Sequence, residues 1–332
     1  MCRRVSVSFV RKVNLIKILQ LTLCNVSSLG RKMKKLFIGL FLLVSTSVIA
    51  SENVPEMSIK NGYVEPFQMF DNVYYVGDRW VSSYAVETTK GLVLIDTLDF
   101  PYSMWIPTNL EKLGLQDKAI THILVTHGHS DHAGGAQYLQ SEYDSKVVMT
   151  QKGYELAISQ ANKSSGNNSF LPPKVDFFVQ DSSSLIVGGD EFKFYLTPGH
   201  TEGDYSIDLM VKDEGIPHRA FVVGGHSINA RDPKLAKQFF ESMDRVREIA
   251  LQPPVVSVNL SNHPHKNHLF ANREKRNVDG SNNPFISESN FFRFLEQQEA
   301  LAKEKLGQAK VSSFSTDVYH NQIELFGFNL MI

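Results

Sequence analysis

The amino-acid sequence predicts an α/β protein in which helices cover mixed β-sheets. Short runs of β-branched and aromatic residues alternate with longer helical stretches along most of the chain. After residue 55 no internal repeat and no shift in composition separates a second unit. A domain of about 260 residues is large but common among layered α/β architectures, so a single domain is expected.

The predicted strands are short runs rich in Val, Ile, Leu, Tyr and Phe, most of them bounded by Gly, Pro, Asn, Asp or Ser. In chain order they are Asn72–Gly77, Gly91–Asp96, His122–His127, Ser145–Thr150, Phe192–Thr197, Tyr205–Val211, Ala220–Gly225 and Val255–His263. The helices predicted between and after them are Ala133–Tyr143, Gln151–Ala161, Pro233–Leu251 and Ser287–Leu306. The segment Asn162–Pro173 is rich in Ser, Asn, Gly and Pro and is predicted to be a loop, either close to the functional site or simply solvated.

Composition and charge disfavour some classes of partner. The chain has 332 residues, of which 42% are hydrophobic and 21% charged, and its formal net charge is -1. Such a chain can bury a large core, and it has no electrostatic reason to bind nucleic acid or an anionic membrane surface. We also expect a monomer whose partner is a small-molecule substrate.

An export signal is predicted near the N-terminus, at residues 33–50. From Met33 onward the sequence MKKLFIGLFLLVSTSVIASE combines a short basic segment, an apolar stretch and a small-residue cleavage site after Ala50. The apolar stretch is shorter than the roughly 20 residues of a membrane-spanning helix, so we expect a periplasmic protein without a stable membrane anchor. Residues 1–32 are then an upstream extension from a mis-assigned start, or else a basic amphipathic arm.

The sequence contains two cysteines, Cys2 and Cys24, and both precede the predicted cleavage site. The mature chain would therefore have no disulfide, no cysteine nucleophile and no thiolate ligand for a metal. Its stability must come from the hydrophobic core or from bound metal.

The segment THGHSDH, residues 126–132, lies between a predicted strand and a predicted helix. Residues at such a strand end are held by rigid elements and can converge on one point. His127 and His129 can face the same way in an extended chain, and Asp131 and His132 can face a neighbouring point. Imidazole and carboxylate groups are zinc ligands, so four of them within six positions indicate two metal ions rather than one.

Further ligands are expected at two other strand ends. His200 follows a strand and a Pro-Gly turn in YLTPGHTEGD, and His263 follows a strand in VVSVNLSNHPH. With the motif they complete a ligand set for two metals, although His265 and His268 lie close enough to leave the choice of His263 open. Three other histidines are interpreted as structural or surface residues: His122, His218 and His320.

Four segments resemble the metallo-β-lactamase superfamily: THGHSDHAGG, TPGHTEGD, GLVLIDT and LSNHP. The resemblance runs from about Val73 to Leu306. It implies a four-layer αββα sandwich, in which two sheets lie back to back with helices outside and the metals at one edge. Residues 57–310 are accordingly assigned to one metallo-β-lactamase domain and residues 311–332 to a C-terminal tail.

The end of the strand AFVVGGHS departs from most hydrolases of the superfamily, which have an aspartate or a cysteine ligand there. Gly224, Gly225, His226 and Ser227 occupy this region instead. Subclass B3 of the metallo-β-lactamases uses neither ligand, and its sequences resemble this chain in an NHP segment followed by NPF and a terminal helix. The resemblance implies that His127, His129 and His200 bind a first zinc ion, and Asp131, His132 and His263 a second.

Two positions near that strand end are left open. His226 or Ser227 falls where many relatives have a serine that hydrogen-bonds metal-bound water, and His226 is interpreted as an additional ligand, a base or a wall residue. Ser227 and Asn229 are candidates for contact with a substrate carboxylate, with a solvated turn as the alternative.

The resemblance implies a zinc-dependent hydrolase that opens the β-lactam ring of penicillins, cephalosporins and carbapenems and so confers antibiotic resistance. In such an enzyme two bound zinc ions would lower the pKa of water to about 7 and so supply a hydroxide as the nucleophile for the lactam carbonyl. Asp131 is expected to position this hydroxide as well as to bind metal. The alternatives are a dizinc hydrolase of a lactone, thioester or phosphodiester, and a non-catalytic metal-binding module.

Overall fold

Two β-sheets form the centre of the computed structural model, which describes residues 54–228, 232–276 and 282–326. In this part of the chain the first sheet has seven strands in the order β1-β2-β3-β4-β5-β6-β7. These strands are β1 (Phe67–Phe70), β2 (Val73–Tyr75), β3 (Tyr84–Thr88), β4 (Gly91–Ile95), β5 (Ile120–Leu124), β6 (Lys146–Met149) and β7 (Val175–Phe178). The first four pair antiparallel, and the pairs from β4 to β7 are parallel.

The second sheet has the strand order β12-β11-β10-β9-β8 over the same described ranges. Its strands are β8 (Ser184–Val187), β9 (Asp190–Leu196), β10 (Tyr205–Asp213), β11 (Ile216–Val222) and β12 (Val258–Asn259). All neighbours pair antiparallel except β11 and β12, which are parallel.

The helices are α1 (Trp105–Lys112), α2 (Ser130–Ala133), α3 (Ala136–Tyr143), α4 (Gln151–Lys163), α5 (Pro233–Ala250), α6 (Leu269–Arg276) and α7 (Glu288–Phe326). None of the helices that the structure describes combines the length and the apolar character needed to cross a bilayer.

Three hydrophobic clusters define the layers. The cluster between the sheets takes side chains from both of them, including Phe70, Tyr75, Phe192, Tyr205 and Val258. On the outer face of the first sheet, Leu94 of β4 and Ile123 of β5 share a cluster with Ile106 of α1, Leu139 of α3 and Ala157 of α4. On the outer face of the second sheet, Phe221 packs with Phe239 of α5 and with Phe291 and Leu295 of α7. This order of helix, sheet, sheet and helix confirms the predicted αββα sandwich.

The predicted helix Ala133–Tyr143 is interrupted in the structure, because α2 ends at Ala133 and α3 begins at Ala136. The glycines between them allow a close approach of other backbone and side-chain atoms. A Cβ atom on Gly135 would lie 2.2 Å from Cβ of Ser103, and one on Gly134 would lie 2.4 Å from the carbonyl oxygen of Ser130. The break lets the chain turn directly after the histidine motif.

Several predicted boundaries differ from those of the structure. The predicted strand Val255–His263 is regular only over Val258–Asn259, and the predicted strand His122–His127 ends at Leu124. Helix α7 continues beyond the predicted end at Leu306 and reaches Phe326, inside the segment assigned to a tail. The predicted signal peptide, the upstream extension and Asn229 lie outside the described residues.

Candidate metal centre

The histidine motif is anchored by a buried carboxylate at the end of β4. Strands β4 and β5 are parallel neighbours, so the residues that follow them meet at one edge of the sheet. Asp96, which is fully buried, accepts hydrogen bonds from the amide of Thr126 at 2.8 Å and from the Thr126 hydroxyl at 2.9 Å. These bonds fix the backbone where the motif leaves β5.

The next part of the motif packs against α4. A Cβ atom on Gly128 would lie 2.0 Å from the carbonyl oxygen of Gly153, so no side chain fits at this position. Helix α2 then begins after His129, and it carries Asp131 and His132 in its first turn. The loop and the helix therefore present four polar side chains to the same edge of the sheet.

The first group of potential ligands consists of His127, His129 and His200, whose ligand atoms all lie within 4.8 Å of one another. Nδ1 of His129 is 3.1 Å from Nε2 of His200. The ring of His200 is oriented by the carbonyl oxygen of Ser227, which lies 3.1 Å from its Nδ1 atom. A Cβ atom on Gly225 would lie 2.6 Å from Cβ of His200, so the glycine in VVGGHS leaves the space that His200 occupies.

The second group consists of Asp131, His132 and His263, again with ligand atoms within 4.8 Å of one another. Oδ2 of Asp131 is 3.2 Å from Nε2 of His132 and 3.8 Å from Nε2 of His263. Asp96 Oδ2 lies 2.8 Å from Nδ1 of His132, and the carbonyl oxygen of Trp80 lies 2.8 Å from Nδ1 of His263. The rings of His132 and His263 are therefore both oriented by a hydrogen bond at Nδ1, which leaves Nε2 facing Asp131.

The hydrogen bonds at Nδ1 assign the tautomers that a metal would need. His132, His200 and His263 each have an oxygen acceptor at Nδ1, so Nδ1 carries a proton and Nε2 is the atom that would bind a metal. Nε2 of His127 is buried and forms no hydrogen bond with any described residue, and Nε2 of His132 faces the Asp131 carboxylate at 3.2 Å. Buried polar atoms of this kind normally have a partner, and a divalent cation would supply one. The side chains thus fit two divalent metal ions.

Burial lowers the pKa of four of these imidazoles, which favours the neutral form that binds metal. The pKa of His127 is lowered well below its usual value, first by burial and then by the neighbouring histidines. Burial and the proximity of His129 lower the pKa of His200 to about 4. Burial also lowers the pKa of His129 and of His263.

His132 behaves differently because two carboxylates flank it. Burial acts to lower its pKa, but the charges of Asp131 and Asp96 outweigh burial and raise the pKa to about 10. For Asp131, the opposing effect of burial is outweighed by His132 and His263, and its pKa is lowered. In the metal-free chain a proton on His132 thus occupies the place of a cation, and metal binding must displace it.

His226 belongs to neither group of ligands, and it packs beside the second group, as expected for a residue in the wall of the site. It is buried, its Nε2 atom lies 2.8 Å from Oγ of Ser261, and its ring centroid is 6.0 Å from that of His263. Phe294 of α7 packs edge-on against it at 5.2 Å. Ser227 is exposed, and through its carbonyl oxygen it orients His200.

Sequence reasoning left the choice among His263, His265 and His268 open, and in the structure His263 joins the second group. It did not find the supporting roles of Asp96 and Trp80. A signal for Asp96 was present, because an aspartate directly after the apolar run GLVLI has to be buried with partners. Trp80 acts through its backbone carbonyl, which leaves no trace in residue types.

We predict that removing metal destabilises the fold. A ligand present at 100 times its Kd stabilises the native state by about 2.7 kcal/mol, which for a domain of this size corresponds to about 5–10 °C in Tm. Thermal unfolding with excess zinc and with excess chelator measures the difference. Equal Tm values in the two conditions would contradict metal binding, and a variant that lacks His127 and His263 should show no difference.

Comparisons with known proteins agree with this geometry. Residues 76–213 match the metallo-beta-lactamase superfamily. The metallo-beta-lactamase type 2 of Bacillus sp. (strain 170) is 30% identical over 206 residues, which cover 58% of this chain and 72% of that protein. The chain belongs to the metallo-β-lactamase superfamily. Membership of this metallo-hydrolase superfamily implies a divalent metal, and the two groups of side chains could bind it.

The solved structures point to one subclass at the level of the fold. The subclass B3 metallo-beta-lactamase BJP-1 of Bradyrhizobium japonicum matches with a TM-score of 0.67 and 25% identity, over 75% of this chain and 96% of that one. The predicted resemblance to subclass B3 is confirmed. A different activity is named for another relative: the hydroxyacylglutathione hydrolase of Rhodopseudomonas palustris (strain HaA2) is 33% identical over 105 residues. That alignment spans only 34% of the relative, and one with a Beta-lactamase-like protein 2 homolog of Caenorhabditis elegans spans 40%.

Proposed function

We propose that this protein is a β-lactam hydrolase that binds two zinc ions. The observation that carries the proposal is the composition of the second ligand group, Asp131, His132 and His263, together with Gly225 at the strand end where His200 needs space. A cysteine or a bridging aspartate is not part of either group. Imidazole and carboxylate ligands suit zinc, and the sequence has no cysteine after Cys24, so the described residues offer no thiolate that would favour a softer metal.

Each group of ligands has a distinct part in the proposed reaction. His127, His129 and His200 would hold the first ion, and Asp131, His132 and His263 the second. When bound, such a pair of ions acidifies water and stabilises negative charge on the carbonyl oxygen and on the leaving nitrogen. Protein side chains therefore need not supply a nucleophile, and their task is to orient the reactants.

Asp131 is the side chain best placed to orient the attacking water. Its Oδ2 atom faces the imidazoles of His132 and His263, which leaves the second carboxylate oxygen to accept a hydrogen bond from water. Because its pKa is lowered, the group stays ionised as an acceptor throughout the neutral range. The exposed hydroxyl of Ser227, beside His200, is proposed to contact a substrate carboxylate, with Asn229 two residues further along.

We also propose that the protein is exported to the periplasm after cleavage behind Ala50, where it would act as a monomer and confer resistance to β-lactams. The basic and apolar pattern of residues 33–50 supports export.

The test is hydrolysis of a penicillin, a cephalosporin and a carbapenem by protein that begins at Ser51, with added zinc and with a chelator. We expect turnover of at least one of the three, and loss of that turnover with the chelator. A thioester, a lactone and a phosphodiester belong in the same assay, because the similarity to hydroxyacylglutathione hydrolases favours a thioester as the second candidate. If the protein binds two zinc ions but hydrolyses only the thioester, the proposed substrate becomes a thioester instead of a β-lactam.

A further inference from the structure

The loop between β2 and β3, with the first residue of β3, forms hydrogen bonds with the segment that carries His263. The carbonyl oxygen of Trp80 accepts from Nδ1 of His263 at 2.8 Å. Two residues further on, the amide of Ser82 donates to the carbonyl oxygen of Asn262 at 2.9 Å. At the start of β3, the hydroxyl of Tyr84 donates to the carbonyl oxygen of Ser261 at 2.7 Å. Three consecutive residues of the ligand segment are therefore held by one short stretch of chain.

Asp78 sets the shape of this loop from inside. Its side chain is 5% exposed, and a single oxygen, Oδ1, accepts hydrogen bonds from the amides of Trp80 and Val81, both at 2.7 Å. Its own amide donates to the carbonyl oxygen of Val81 at 3.0 Å. The carboxylate thus closes a turn whose outer residue, Trp80, is 53% exposed.

The bond to the amide of Val81 has a consequence for His263, because the carbonyl of Trp80 and the amide of Val81 belong to the same peptide unit. That unit is planar and trans, so its N–H and its C=O point in opposite directions. When Asp78 holds the N–H at 2.7 Å, the carbonyl oxygen is directed away from Asp78 and towards Nδ1 of His263. Without Asp78 the peptide unit could rotate, and the carbonyl oxygen of Trp80 would no longer point at Nδ1 of His263.

We propose that Asp78 is a positioning residue for the second metal. By fixing the Trp80–Val81 peptide plane it keeps the proton of His263 on Nδ1 and the lone pair of Nε2 directed at Asp131 and His132. The inference rests on the proposed two-zinc function. It adds a selective effect, because His200 in the first group is oriented by Ser227 on a different loop.

The charge of Asp78 is an alternative cause, since its carboxylate is close enough to Asp131 for the two charges to interact. The two causes are separable by substitution. Asp78→Asn removes the charge but keeps an oxygen that can accept from both amides, whereas Asp78→Ala removes the charge and the acceptor together.

The experiment is a zinc titration of the full mature chain against a chromophoric chelator, which yields a constant for each bound ion. His263→Ala identifies the binding step that belongs to the second group. We expect Asp78→Ala to weaken that step about 10- to 100-fold, the usual effect of losing a group that orients a ligand. Asp78→Asn should stay within about threefold of the wild type, and the first step should be unchanged in both variants.

Asp232→Ala is the matched control. Oδ1 of Asp232 also accepts from the amides two and three residues further on, at 3.0 and 3.1 Å, but it does so at the start of α5. Its loss should leave the second zinc constant as in the wild type. If Asp78→Ala does not fold, as judged by circular dichroism, Asp78→Glu replaces it, because the longer side chain moves the acceptor by one methylene.

Wild-type constants in Asp78→Ala, or equal weakening of both steps, would overturn the positioning role. An asparagine variant as weak as the alanine variant would overturn the peptide-plane mechanism. A wild-type chain that binds fewer than two zinc ions would overturn the proposed function and this inference together, so the two failures are distinguishable.

Discussion

Replacing Asp131 by alanine is expected to lower kcat/KM by about 10²- to 10⁴-fold in metal-replete protein, the range for a group that handles a proton in the transition state. Asp131 is the one carboxylate in the two ligand groups of the described residues, and it lies 3.2 Å from His132 and 3.8 Å from His263. The variant loses both a metal ligand and the acceptor for the attacking water. The assay uses whichever substrate the wild type hydrolyses, with zinc content measured on the same sample.

Asp99→Asn is the matched control for this prediction. Asp99 is a neighbouring, partly buried carboxylate whose pKa is raised by burial against a hydrogen bond from Ser130, and it belongs to neither ligand group. Its amide variant should keep kcat/KM within about threefold of the wild type. Wild-type turnover in an Asp131→Ala protein that holds two zinc ions would remove Asp131 from the mechanism.

The layered α/β architecture could be predicted because most strands are recognisable in the sequence as apolar runs between turn residues. Four strands were missed, β1, β3, β7 and β8, and the last two lie at the edges of the two sheets. Phe177 and Phe178 in β7 are 48% and 42% exposed, and Ile186 in β8 is 67% exposed, so both strands carry apolar side chains at exposed positions where an alternating pattern would have polar ones. Their positions follow from pairing with β6 and β9, which only the tertiary structure shows.

The part of the candidate site that could be predicted consists of side chains typical of metal ligands, the imidazoles and the carboxylate. The six residues assigned to zinc by resemblance lie together in two groups of three, although their role as ligands stays a prediction. The atoms that orient them were out of reach of the sequence, because two of the three acceptors are backbone carbonyls, those of Trp80 and Ser227. Their direction depends on local turns, such as the left-handed conformation of Ser227, whose φ is 68°.

Replacing Asp96 by alanine is expected to lower the free energy of unfolding of the metal-free protein by about 3–5 kcal/mol, the usual cost of removing one partner of a buried charged pair. The variant leaves Nδ1 of His132 and the amide and hydroxyl of Thr126 without their buried acceptor. Urea unfolding in excess chelator measures the loss.

The pH dependence of this loss tests its electrostatic part. In the wild type the pKa of His132 is raised from 6.5 to about 10, with Asp131 and Asp96 overcoming the effect of burial. A raised histidine pKa contributes stability that is complete below about pH 6.5 and disappears as the pH rises through about 10. The difference between wild type and Asp96→Ala should therefore be largest near pH 6 and shrink towards pH 10.

Thr97→Val, which removes a neutral 2.7 Å hydrogen bond to the carbonyl oxygen of His132, should cost about 1 kcal/mol at every pH. An Asp96→Ala difference as independent of pH as that of Thr97→Val would mean that His132 is neutral in the metal-free protein, and that Asp96 acts on it as a hydrogen-bond acceptor alone.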